Sequence, residues 1–192
     1  MKILLVVATE QEIIEDRFKS CSVLLTRVGM VNTAIELTKE LMKNKYDLVI
    51  NMGVAGSFSD EIKIGDVVEI VEDNFSEIGF EDGMKFEPFS EFELVTKFSV
   101  VGKTDLQKVK GITVNTVHGN EASIADVVKR FNPDIETMEG VVVFKVCKEF
   151  VVPCMQIRAI SNKVEKRNKA NWDMPLAIKN LNTAVEKIIT EL

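Results

Sequence analysis

Short runs of β-branched and aliphatic residues alternate along this chain with segments whose apolar positions recur every three or four residues. That alternation predicts a sheet with crossover helices. Strands are expected at residues 2–8, 22–28, 46–52, 65–71, 111–117 and 153–160. Helices are expected at 31–43, with Ile35, Leu37, Leu41 and Met42 at helical spacing, and at 139–150, with Val142, Val143, Val146 and Phe150. A third is expected at 175–192, where Ile178, Leu181, Val185, Ile188 and Leu192 share a face. No internal repeat or low-complexity linker interrupts the pattern. The apolar residues 3–8 are followed at once by Thr9-Glu10-Gln11-Glu12, which suits a first strand better than a cleaved leader.

Residues 69–98 break the pattern. They hold six of the eleven phenylalanines (Phe75, Phe80, Phe86, Phe89, Phe92 and Phe98), and between Glu69 and Glu93 nine acidic residues against one lysine. Gly79, Gly83 and Pro88 break up regular structure there. Such a loop could line a ligand pocket, cross a subunit contact, or be tied to the core by its aromatic rings.

A length of 192 residues suits one domain over 1–192, burying roughly 70% of its unfolded surface. The apolar fraction of 46% is ordinary for a globular protein, and no run nears the ~20 residues needed to span a bilayer. Net charge is −6, which argues against nucleic acid as a partner. The one basic cluster, Lys163, Lys166, Arg167 and Lys169, could serve a small anionic group or be a solvated loop. Cys21, Cys147 and Cys154 lack metal-ligand spacing and a single His118 cannot anchor zinc, so a reduced cytoplasmic protein without structural metal or cofactor is expected.

Three polar residues are expected at the carboxyl ends of strands or the mouths of helices, where open α/β sheets bind ligands. They are Glu12 after the first strand, Glu139 in "ETMEG" and Asn162 in "QIRAISNKVEKRN". Between them lies "NMGVAGS", read as a glycine turn in which Gly53 and Gly56 let backbone approach a small ligand.

The ordered series "ATEQE", "TRVGMVNTA", "NMGVAGSF", "KIGDVV", "ETMEG" and "VPCMQIRAISN" resembles the purine nucleoside phosphorylase and nucleosidase superfamily over nearly the whole chain. Within it, "TVNTVHGNEASI", "RAISNKVEKRN" and "NWDMPLAIKNLN" are most similar to the futalosine hydrolase branch. The resemblance implies a three-layer α/β/α sandwich around a mixed, twisted sheet, assembled as a homodimer or higher homo-oligomer and acting on a small nucleoside. It further implies that Glu12 activates the attacking water and that Glu139, after Met138, grips the ribose 2′ and 3′ hydroxyls. Arg158 then lies near the water and its base. Val54 stands where many relatives have a serine, and Ala122 where nucleosidases often stack an aromatic ring on the base.

Asn162 stands where the adenine-specific nucleosidases carry an aspartic acid. An amide cannot deliver a proton to purine N7. It can donate to a 6-oxo group while its carbonyl accepts from a protonated N7, which suits hypoxanthine, the base of futalosine. Asn also pairs with adenine edges, so the residue disfavours protonation-driven adenine release without excluding adenine binding. Arg167 is the first candidate for the carboxylate at the 5′ end of that substrate. Trp172 could wall the site or begin the last helix, and His118 could belong to the site or to a turn.

Overall fold

The computed structural model describes residues 1–83, 85–89, 91 and 93–192. Its first strand is β1 (Ile3–Val7), whose five residues are all buried. Leu4 and Val6 face one core, while Ile3, Leu5 and Val7 face another on the opposite side of the sheet. The period of two thus feeds two cores, as expected of a strand covered on both faces. Each such fully buried aliphatic side chain stabilises the fold by about 1.5–3 kcal/mol.

Parallel to β1 run β2 (Ser22–Leu25) and β3 (Leu48–Ser57). Helix α1 (Met30–Lys43) joins these two, buries Thr33, Leu37 and Leu41 at intervals of four, and leaves Ile35 and Met42 exposed. The helical period is as expected, but the buried stripe is offset from two of the apolar positions that predicted it.

Beyond β3 come β4 (Val67–Phe75), the hairpin of β5 (Phe80–Asp82) with β6 (Lys85–Glu87), β7 (Lys97–Ser99) and β8 (Gln107–Thr113). Helix α2 (Glu121–Phe131), β9 (Ile135–Thr137), α3 (Gly140–Glu149), β10 (Cys154–Lys163) and α4 (Met174–Glu191) complete the order. β10 lies between β3, to which it is parallel, and β4, to which it is antiparallel. Since β4 pairs with β8, β8 with β9, and β9 with the end of β3, five strands close into a ring, from which β1 and β2 extend as an open wing. The sheet is mixed, with α1 and α3 over one face and α4 over the other, in agreement with the expected layers.

Two expectations change. The glycine stretch after residue 52 is not a turn, because β3 continues through it to Ser57. The last strand likewise runs past residue 160 to Lys163, with a register shift between Ile160 and Asn162. Such a bulge bends a strand and re-aims the side chains beyond it.

The phenylalanine-rich region is tied to the body of the protein. Phe98 is buried edge-on to Phe75, Arg130 of α2 covers the Phe86 ring at 4.2 Å, and Phe80 lies 5.6 Å from Phe89. Phe92 lies outside the described residues. No helix among the described residues is long and apolar enough to cross a membrane.

Candidate active site

A cavity of about 350 Å3 opens beside the carboxyl ends of β1, β3 and β10. Glu12, Val54, Gly56, Met138, Glu139, Asn162 and Arg167 all line it. Its size suits a small ligand.

Glu12 occupies a 3-10 turn, Glu10–Glu12, and is 8% exposed. Its Oε2 accepts from the backbone N–H groups of Ala8 (3.0 Å) and Thr9 (2.9 Å), and its Oε1 from Val54 N–H (3.2 Å). Buried Asn182 of α4 steadies the same loop, accepting from Ile14 N–H (2.8 Å) and donating to the Glu12 carbonyl (3.0 Å). A Cβ at position 53 would stand 2.7 Å from Glu12 Oε1, so Gly53 is where the carboxylate finds room.

Glu139 occupies the residue before α3, yet its side chain makes no capping bond to that helix. It reaches instead to the start of α1, where its Oε1 accepts from Gly29 N–H at 2.9 Å. A carboxylate at a capping position that serves another element has been diverted from the local use its position favours. Burial raises its pKa above the ordinary glutamate value, with the neighbouring Glu12 charge adding to the effect, while Gly29 N–H and Arg158 oppose it.

Arg158 does not line the cavity. It lies beneath, 2% exposed, and donates to the Asn51 carbonyl (3.1 Å), its own strand's Ile157 carbonyl (3.2 Å), Asn51 Oδ1 and Gln156 Oε1 (3.4 Å). Burial lowers its pKa, and the charges of Glu139, Glu12 and Asp73 oppose that. Asp73 is fully buried, receives Thr113 Oγ1 and Gln156 Nε2 at 3.1 Å each, and is pushed up to about 7 by burial. A layer of buried polar groups therefore underlies the two cavity carboxylates. Such groups persist in a core only when they are paired.

At the other end of the cavity stands Asn162. Its Oδ1 accepts from Ser161 Oγ (2.8 Å) and its Nδ2 donates to the Lys163 carbonyl (2.9 Å). Together the two bonds use half of the amide's capacity, leaving one lone pair and one N–H. A Cβ at position 56 would meet Val164 at 2.9 Å and Asn162 Nδ2 at 3.1 Å, so glycine is required beside the amide. Arg167 stacks over the Trp172 ring at 5.2 Å, and both line the cavity. Lys163 is paired with Asp60.

Sequence reasoning did not single out Glu136 or Met174, which also line the cavity. His118 and Trp172, left open between site and scaffold, belong to the lining, whereas Ala122 sits exposed in the first turn of α2 and lines nothing here. The phenylalanines described between residues 75 and 98 line no part of it.

The sequence profile of the phosphorylase superfamily matches residues 9–190. The chain belongs to the phosphorylase superfamily. Among similar members is the futalosine hydrolase of Thermus thermophilus, 24% identical over 179 residues that cover 86% of this chain and 80% of that protein. Another is the 5′-methylthioadenosine/S-adenosylhomocysteine nucleosidase of an Exiguobacterium species, 27% identical over 176 residues, 84% of this chain and 76% of that one. The structure of Helicobacter pylori futalosine hydrolase superimposes with a TM-score of 0.86 at 18% identity, over 100% of this chain and 98% of that chain, and establishes the shared superfamily fold.

Proposed function

We propose that this superfamily member is a futalosine hydrolase, cleaving the N-glycosidic bond of futalosine to release hypoxanthine and dehypoxanthine futalosine in menaquinone biosynthesis. The coarser reading, a nucleosidase, agrees with relatives named both futalosine hydrolase and methylthioadenosine/S-adenosylhomocysteine nucleosidase. The observation that carries the finer reading is Asn162 at the cavity wall, with one acceptor and one donor position unspent.

Breaking the bond builds positive charge on the sugar and negative charge on the departing base. Glu12, on the wall with its oxygens steadied by backbone N–H groups, takes the proton from the attacking water. Glu139 holds the ribose hydroxyls, for which a carboxylate has acceptors enough for two donors. Because burial raises its pKa, that grip weakens on the acid side at a higher pH than for an ordinary glutamate. Arg158, buried beneath both, keeps two neighbouring negative charges tolerable. Asn162 donates to the 6-oxo group and accepts from N7 once that atom carries a proton. Arg167, braced on Trp172, meets the carboxylate at the 5′ end.

We also infer a homodimer or higher homo-oligomer. Val28 at the cavity rim and Val31 and Ile35 of α1 are 48%, 70% and 46% exposed, an apolar strip suited to a second copy. Light scattering at micromolar concentration measures this directly.

The deciding experiment measures base release from futalosine, inosine, aminodeoxyfutalosine and methylthioadenosine, each with and without phosphate. Phosphate-independent hypoxanthine release from futalosine is the expected result. Adenine release, or dependence on phosphate, transfers the chain to another activity of the same superfamily.

A further inference from the structure

The amide of Asn162 can hold a protonated N7, but it has no proton to give. Another group must supply it, and the amide end of the cavity contains a side-chain pair to which no role has yet been given. His118 and Glu136 both line the cavity. The His118 Nδ1 lies 2.6 Å from Glu136 Oε2, and the His118 backbone N–H donates to Glu136 Oε1 at 3.1 Å. Glu136 is 4% exposed within β9, and the Phe58 ring meets the imidazole edge-on at 6.2 Å. A carboxylate that already receives a backbone N–H acts as acceptor, so Nδ1 carries the hydrogen. Among the described residues nothing bonds Nε2, which is left to the cavity.

Register places this pair beside the purine-reading amide. Gly56 is the sheet partner of Glu136 on one side and of Asn162 on the other. A Cβ on Gly56 would lie 3.7 Å from Glu136 Cγ and 3.1 Å from Asn162 Nδ2, so the three positions form one row across the sheet.

We propose that His118 is a further catalytic residue, the acid that protonates the departing purine, and that Glu136 is its positioning residue. The assignment rests on the futalosine hydrolase reading above. As the C1′–N9 bond breaks, its electron pair passes to the purine and the proton on Nε2 of the imidazolium moves to N7, beside the Asn162 carbonyl. Water adds to C1′ and gives its proton to Glu12. The proton gained by Glu12 equals the one lost by His118, and exchange with solvent resets both. Other charged groups facing the imidazole across this cavity are Lys163, Glu165, Arg167, Glu12 and Glu139. Lys163 is engaged by Asp60, exposed Glu165 receives the Asn171 amide, and a guanidinium does not release its proton. Glu12 and Glu139 are committed to water and ribose.

The test compares futalosine with its N7-methylated derivative, whose base is already cationic and leaves without a proton. His118→Gln should lower kcat for futalosine by about 100- to 1,000-fold, with KM changed less than about fivefold. The rate on the N7-methyl nucleoside should stay within about threefold of wild type. Equal losses on both substrates, or no loss on futalosine, overturn the assignment. The wild-type pH profile gives a second reading that needs no variant: kcat for futalosine should fall on the alkaline side and kcat for the N7-methyl nucleoside should not. A shared limb, or none, overturns it equally. Wild-type protein that releases no purine from either compound overturns the futalosine hydrolase reading itself, which is distinguishable from a wild type active on both substrates whose His118 variant loses them alike.

Discussion

At one end of the cavity Glu12 is held by three backbone N–H groups above an arginine that solvent scarcely reaches. At the other, Asn162 is held by a serine hydroxyl and one carbonyl, and His118 by one carboxylate and its own backbone. The first end is fixed by main chain and can change only if strands move. The second is fixed mostly by side chains and can be altered one residue at a time. On the proposed reading the first end performs the step that any nucleosidase needs, and the second decides which base leaves.

Glu12→Gln attacks the fixed end directly and should have the largest effect. Both carboxylate oxygens accept from backbone N–H groups, and a glutamine must turn its NH2 towards one of them. Turnover is expected to fall about 100- to 10,000-fold with nucleoside affinity nearly kept, as measured by kcat beside calorimetric binding. Retained turnover would remove Glu12 from the role of base. Next, Arg158→Met strips the countercharge from beneath Glu12, Glu139 and Asp73 and should cost about 3–5 kcal/mol of stability in urea unfolding. A cost under about 1 kcal/mol would mean that the carboxylates are balanced in some other way.

Asp73 tests the same buried layer through pH. Its folded pKa is raised from 3.8 to about 7 by burial, so between these values the folded state keeps a proton that the unfolded chain releases. Stability should therefore fall as pH rises through this window, by up to about 4 kcal/mol, the reverse of the usual salt-bridged carboxylate. Asp73→Asn should flatten that slope, and unfolding free energies at pH 5 and pH 8 for both proteins will show whether it does.

At the adjustable end the effects should be smaller and selective. Asn162→Asp is expected to shift the ratio of 6-oxo to 6-amino nucleoside turnover by about 10- to 100-fold towards the amine, corresponding to 1–3 kcal/mol. An unchanged ratio in competitive assays would mean that base identity is read elsewhere. Smallest of all, Arg167→Ala should raise KM for futalosine about two- to fivefold without touching kcat, since a rim charge open to water contributes at most about 1 kcal/mol. Loss of kcat instead would assign Arg167 to the chemistry.

The contrast between the two ends also explains what could be read from the chain. Residues 3–7 and helices α1, α3 and α4 were legible because their apolar periods are long enough to count. β9 was not, since three residues give no period and two of them are Glu136 and Thr137. Helix α2 buries little besides Val127, so its apolar face is faint, and the Asn120 cap that begins it was the available signal. The glycines after residue 52 misled because glycine signals tight space as well as turns, and here it accommodates Glu12 and Asn162. Glu12, Glu139 and Asn162 stood out by their position after strands or before a helix. The His118–Glu136 pair did not, because 18 residues separate partners that only the return of the chain from β8 through α2 to β9 brings together.

The closed ring of five strands has a consequence for how the protein is made. β10 is the last strand in the chain, and its parallel pairing with β3 joins residues about a hundred positions apart. Pairings of such long range form slowly, and synthesis delivers β10 only after every other strand has left the ribosome. Until then Glu12 and Glu139 stand over a gap where Arg158 will lie, and Asn162 is absent. A nascent chain can build its open wing early, but it becomes competent for catalysis only when the ring shuts.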